Sequence, residues 1–474
     1  MRYNRLYEAT NFIVPTNYTQ ELSRFVANLR YEDLPQEVVQ KAKEILIQSV
    51  GAALAAQRMP MAQNMREIAL KRNGGTGGAC TAWGTGESLS AVNAAELAGT
   101  LIALLNWSDG SPVGECAPGI IAAAWAAAEE RHQGGKELIT AIVAGYEAQT
   151  RIAMAVQPGE DRRDRDSWGE TSWQIFGATV AAAKIYGLDA RKVDQAIGIA
   201  CESSTIPATY AEKTLSDARY YEFGFRARDG VMMAQSSDYG INNQRDTLDD
   251  PCCYTGGMTS NANVELVSKG LGTEYLILNV QVKHLPTDIW NETAAMLVGQ
   301  LLAEHEVSIE DVAEVLVTPA VKGRMWAPQD GYQSVMHGQL SMPFAVVSVM
   351  QGKTPGADWY CAERLTDPQV AGAAQMVHAA EGGQNALLMD AYAAWQKGGL
   401  PRDKVAVRLK DGAVFCAEGC TFQDMDEEVG DALFRRKTAS VLEKGVCESA
   451  LKALREIESC TDVSELAWIL GRKS

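Results

Sequence analysis

The spacing of apolar residues changes once along this chain, near residue 275, and that change constrains the fold more than any other feature. Upstream the spacing is helical. Asp33-Leu34-Pro35-Gln36-Glu37 supplies a cap residue and an early proline, after which Val38, Ala42, Ile45, Ser49 and Ala53 share one helical face. Ser90 to Leu105, Gly119 to Glu130, Lys136 to Met154, Ser172 to Tyr186 and Ala190 to Cys201 repeat the pattern. Gln133-Gly134-Gly135 and Gly187-Leu188-Asp189 act as stops. The interiors of these segments are rich in Ala and Gly, so helix axes can approach closely and be buried on more than one side. No stretch in this half alternates like a strand.

Downstream, Tyr275 to Val282, Val312 to Val317 and Val405 to Leu409 are short β-branched runs, and Asp411-Gly412 before Val414-Phe415 is a hairpin signal. Helical segments at Asn291 to His305, Pro343 to Met350 and Asn385 to Gln396 alternate with them, and Glu427 to Leu470 returns to the helical period. The expected fold is mainly α: a large all-helical domain (1–275 and 418–474) with a smaller inserted α+β lid domain (276–417).

At 474 residues and 46% hydrophobic, the chain is long enough for two or three domains. A net charge of −17 argues against nucleic acid as a partner, because phosphate contact needs a surplus of Lys and Arg. A few inward-facing cations can still hold a small anion. The longest uninterrupted apolar run, Ile120 to Ala128, is far below the roughly 20 residues that cross a bilayer. Met1 to Arg5 leads into no signal-peptide core, so no membrane partner and a cytoplasmic location are expected. Ten scattered cysteines without paired C-x-x-C units, together with five histidines, predict reduced thiols and no metal.

Leu34-Pro35-Gln36-Glu37-Val38, Gly145-Tyr146-Glu147 with Arg151-Ile152, Phe176-Gly177 before an Ala-rich helix, Lys283-His284-Leu285-Pro286, Leu340 to Val346, and Arg435-Arg436-Lys437 through Leu470 occur in a common order and spacing. Together they resemble the MmgE/PrpD family, over about Leu34 to Leu470. The resemblance implies a helical body with an α+β lid, a homodimer, no cofactor, and a site between the domains that acts on a small anionic carboxylate.

The family's lyases carry an Asp-rich loop ending in His-Pro-Gly. The matching loop here runs from Asn106 through Asp109 and Glu115 to Cys116-Ala117-Pro118-Gly119, with Asn106 in place of the first Asp. Ala117 stands at the histidine, or Cys116 if the register slips by one. A second family histidine corresponds to Gly169, in Trp168-Gly169-Glu170-Thr171. By spacing from Gly224 and Gly230, the family's lysine and a further histidine fall on Arg219 and Glu222, with Lys213 six residues before Arg219. Lys283 is kept.

Removing a proton next to a carboxylate needs a base within reach and cations to absorb the charge that builds on the carboxylate oxygens. Lys283 and Arg219 suit the second task, and Asp109, Cys116 or Glu222 the first. Glu115 and Glu170 are further loop carboxylates, and each acid has a competing role as a solvated or capping group. Lys213, His284, Tyr221, Asn106 and Thr171 are candidates for binding substrate. The cleft is expected to be positively lined. The expected activity is that of a cofactor-independent lyase, dehydratase-like or decarboxylase-like, on a small di- or tricarboxylic acid. An epimerase or isomerase of a small carboxylate, and a non-catalytic ligand-binding relative, are the alternatives.

Overall fold

Long stretches of Ala, Val, Ile and Leu with scarcely a polar interruption dictate helices buried on all sides, and these form the centre of the protein. The computed structural model describes residues 16–159, 170–204, 215–243, 245–321, 324–381, 384–386, 388–400, 402–420, 426–466 and 471. Its first half contains α1 (Tyr18–Asn28), α2 (Gln36–Ala56), α3 (Pro60–Arg72), α4 (Ala91–Leu104), α5 (Ala117–Glu130), α6 (Gly135–Ala155), α7 (Glu170–Ile185), α8 (Ala190–Ser203) and α9 (Ala218–Asp238). The helices expected from periodicity are all present, within a few residues of the expected ends.

Two details differ. α2 is not a one-faced surface helix: every residue from Ala42 to Ala56 is buried, as suits a helix at the middle of a bundle. Asp33 does not cap it. It lies in a 3-10 turn, Tyr31–Asp33, where its carboxylate pairs with Arg30 at 2.9 Å, and α2 starts after Pro35.

α4, α5, α7 and α9 pack on one another as the core of the bundle. Gly224 of α9 shows why small residues are needed: a Cβ there would overlap Thr100 Oγ1 and the carbonyl oxygen of Glu96 on α4. The helical half also contains one small antiparallel pair, β1 (Cys80–Thr81) with β2 (Ser88–Leu89), which helical periodicity had hidden.

Beyond residue 275, the run Tyr275 to Val282 folds as a 3-10 turn, Leu276–Asn279, followed by a two-residue strand, β4 (Gln281–Val282), rather than as one long strand. β4 pairs antiparallel with β3 (Asp109–Gly110), the only residues of the α4–α5 loop that it meets in register. A four-stranded sheet is formed by β5 (Val312–Thr318), β6 (Val377–Ala379), β7 (Asp403–Leu409) and β8 (Val414–Gly419), in the order β8-β7-β5-β6, and Ala320–Val321 pairs in parallel with Gln384–Ala386, so Asn385 lies in a strand rather than opening the expected helix. β5 is antiparallel to β7 and parallel to β6. The β7–β8 hairpin turns through Asp411-Gly412, with Gly412 at φ +94°.

Along β7, Asp403, Val405 and Val407 are buried while Lys404 and Arg408 are exposed, and α10 (Ile289–Glu304) packs against this sheet. α11 (Met342–Met350) lies against α10, and α12 (Leu388–Gln396) follows residue 387. The chain closes with α13 (Glu427–Thr438) and α14 (Lys444–Arg455), both packed on α2. The fold is mainly α.

Candidate active site

The α4–α5 loop is the foundation of the site. α4 ends at Leu104, and Asn106 takes a left-handed conformation, φ +50°, that turns the chain into the loop. Asn tolerates this backbone better than most residues. Pairing of Asp109 with Val282 then places the next residue, Lys283, opposite Ser108, whose carbonyl accepts the Lys283 N–H at 3.2 Å. A two-residue strand pair thus sets the position of the lysine.

Lys283 is only 1% exposed, and its ammonium donates to Asn106 Oδ1 and, at 2.6 Å, to Glu115 Oε1. Arg219, in the first turn of α9, pairs with Glu170 at the start of α7 at 2.5 Å. The other oxygen of Glu170 accepts the backbone N–H of Glu115 at 2.7 Å, so the two ion pairs are tied through one loop residue. Gly114, at φ +93°, makes this possible: a side chain there would be strained and would collide with the Glu170 carboxylate.

Asp109 is fully buried. It accepts from Tyr146 Oη at 2.8 Å, from the backbone N–H groups of Cys116 and Ala117 at 3.2 Å, and from Ser108 Oγ at 3.3 Å. Its carboxylate thereby caps the N-terminus of α5, where carboxylates are favoured. Burial, and then the nearby Glu115 charge, nevertheless push its pKa up to about 6.

These groups border one cavity of about 50 Å³, room for a few water molecules. Its described lining brings together Asn106, Asp109, Lys283 and Arg219 from the expected set, with Glu115 and Glu170 beside them. A third pair, Arg324 with Asp288, closes another side, and Tyr220, Phe223 and Tyr392 supply apolar walls. The expectation of a positively lined cleft is not met. Three cations face four carboxylates among the described lining residues, and each cation is paired.

Four expected residues lie away from the lining. Cys116 is buried beneath the loop beside Ser111, and burial and Asp109 hold its thiol far above its ordinary pKa, so it is no thiolate base. Glu222 is half-buried on α9, within electrostatic reach of Arg226. His284 is half-buried in the bend after Lys283, outside the lining, with its N–H donating to Glu292 at 2.8 Å. Burial, then Arg436 and Lys437, depress its pKa to about 4, which leaves it neutral. Tyr221 is half-buried outside the cavity, whereas its neighbour Tyr220 lines it and bonds Gln339. Adjacent helical residues point about 100° apart. Lys213 and the side chain of Thr171 lie outside the described residues.

Sequence reasoning missed Arg324 and Asp288. A signal existed for Asp288, since Pro286-Thr287-Asp288 precedes an apolar helix and its side chain does cap α10 at Trp290 N. None existed for Arg324. Among the described residues no group of three or more His, Cys, Asp or Glu could hold a metal ion, and no helix is long and apolar enough to cross a membrane.

A family model described as the MmgE/PrpD N-terminal domain matches residues 20–266. A cis-aconitate decarboxylase-like protein, oryM, of Aspergillus oryzae is 24% identical over 362 residues, covering 69% of this chain and 72% of its own. The cis-aconitate decarboxylase of Aspergillus terreus is 23% identical over 356 residues, covering 69% and 70%. That of Homo sapiens is 21% identical over 476 residues, covering 95% and 94%.

Proposed function

The chain belongs to the MmgE/PrpD family, and from that premise we propose that it is a cofactor-independent lyase that removes a proton next to a carboxylate of a small di- or tricarboxylic acid. The observation that supports this most is the convergence of Lys283 and Arg219, from separate elements and both buried, on one cavity that also holds Asp109. Arg219 grips a substrate carboxylate, and Arg can do so through two parallel N–H donors. Lys283 provides a point charge beside the carbon that loses its proton, and so stabilises the negative charge developing on the adjacent carboxylate oxygens. An acid of the 109–116 loop takes the proton. Arg324, which also lines the cavity, suits a third carboxylate. A homodimer, a cytoplasmic location, and a lid bounded near residues 275 and 417 belong to the same proposal.

A second reading is epimerisation or double-bond migration. It is favoured by one observation: no histidine is among the described lining residues. An elimination must protonate a leaving hydroxide, whereas an epimerisation returns the proton to carbon with no leaving group.

The test is to offer the purified protein 2-methylcitrate, cis-aconitate and iminodisuccinate in deuterated water. The expected outcome is deuterium uptake into at least one acid, with a change in double-bond absorbance or release of carbon dioxide, and loss of that uptake in Lys283→Ala. Uptake without water or carbon dioxide release assigns the epimerase reading. No exchange into any of these acids overturns both.

A further inference from the structure

The four carboxylates that line the cavity are not equally free to accept a proton. Asp109 already receives Tyr146 Oη, two backbone N–H groups and Ser108 Oγ. Glu170 is fixed between Arg219 and the backbone of Glu115. Asp288 holds Arg324 and the N–H of Trp290. Glu115 is different. Its backbone is fixed on both sides, by Glu170 at the N–H and by Gln174 Nε2 at the carbonyl, 2.9 Å, but among the described residues its carboxylate has a single hydrogen-bonded contact, Lys283 Nζ. The side chain keeps 13% exposure, against 1% for the lysine.

We propose that the Glu115 carboxylate stands in for a substrate carboxylate on Lys283 and, once displaced by substrate, becomes the general base. The inference rests on the reading of the site as a proton-abstraction centre, which it makes specific. A substrate carboxylate arriving at Lys283 takes the same ammonium, and Glu115 is then left beside Asp109 without a counter-charge. A carboxylate stripped of its cationic partner in a desolvated site binds a proton more strongly. The C–H bond next to the bound carboxylate breaks, its proton passes to a Glu115 oxygen, and its electron pair moves into the carbon–carboxylate system as an enolate-type dianion held by Lys283. Return of the proton to carbon completes an epimerisation; in an elimination the electron pair closes a double bond as the bond to the neighbouring hydroxyl breaks, and the departing hydroxide takes the proton from Glu115 and leaves as water. Base strength thus appears only when substrate is in place.

The experiment uses the full chain with Glu115→Gln, folding being checked by circular dichroism. Binding is measured by calorimetry with tricarballylate, which has the carboxylates but no leaving group, and exchange is measured in deuterated water with whichever acid the parent protein turns over. Removing the internal competitor frees Lys283, so tricarballylate should bind about tenfold tighter to the variant. Exchange should fall by about 100-fold or more. A residue with a merely structural role would weaken both together. Weaker or unchanged binding, or exchange at the parental rate, overturns the proposal. If the parent exchanges into no acid, the activity reading fails on its own while the binding comparison still decides whether Glu115 occupies the carboxylate position. Should Glu115→Gln not fold, Glu115→Asp serves: its shorter arm retracts from Lys283, and the same tightening is required.

Discussion

Replacing Asp109 by Asn tests the electrostatics of the site most directly. The carboxylate is fully buried, and burial together with Glu115 raises its pKa from 3.8 to about 6. A pKa higher in the folded state means that folding favours the protonated form. The associated stability is complete below 3.8 and is lost as pH rises through 6. A gap of about two units corresponds to about 3 kcal/mol, at 1.36 kcal/mol per unit. Asn has the same shape and does not ionise. With its oxygen at the Oδ2 position it can accept from Tyr146 and the N–H groups of Cys116 and Ala117, and its NH2 can donate to Ser108 Oγ, which sits 3.3 Å from Oδ1. Relative to its parent, Asp109→Asn should therefore gain about 3 kcal/mol between pH 3.5 and pH 7.5. Urea denaturation of both proteins across that range measures the difference. Comparison cancels Glu147, Glu292 and Asp403, each raised to about 7 by burial. Stability curves that run parallel from pH 4 to pH 7 would refute the assignment.

Two substitutions probe the supports of the cavity. Gly114→Ala combines a positive φ with a collision against Glu170 and should cost about 2–4 kcal/mol by urea denaturation. Arg219→Met removes the cation that pairs with the buried Glu170 and should cost about 3–5 kcal/mol, most of it recovered when Glu170→Gln is added. A double-mutant cycle with no coupling between these two positions would show that their pairing does not hold α7 to α9.

Local signals carried most of the fold into the sequence, and their failures have local causes. The β7–β8 hairpin was legible because Asp411-Gly412 fits a turn that requires positive φ. Tyr275 to Val282 looked like a strand because its residues are apolar and β-branched. Its partner, however, offers only Asp109 and Gly110, and Ile277 and Val280 are buried where the 3-10 turn packs on α2 and α6. α9 went unread because its buried positions mix Arg219, Arg226, Ser237, Gly224 and Gly230 with Tyr220, Phe223 and Val231, which breaks the hydrophobic period. Lys283 and Arg219 were legible by position, but their partners were not. Glu115 is 168 residues from Lys283 and Glu170 is 49 from Arg219, separations that no periodicity reports.

The same pairings explain why the cavity is charge-balanced rather than positive. Two or three bare cations in about 50 Å³ of buried space would be expensive, since removing a charge from water costs several kcal/mol unless a partner is supplied. The fold supplies internal carboxylates. An anionic substrate must then displace them, and it approaches a chain of net charge −17, so long-range attraction does not drive its entry. Affinity depends on the difference between the substrate's contacts and the internal ones. An acid with a single carboxylate can displace one internal carboxylate, whereas one whose carboxylates match the spacing of Lys283, Arg219 and Arg324 can replace Glu115, Glu170 and Asp288 together. On the proposed mechanism, selectivity for polycarboxylates and release of the base follow from one exchange, because the contact that substrate would break is the one between Lys283 and Glu115.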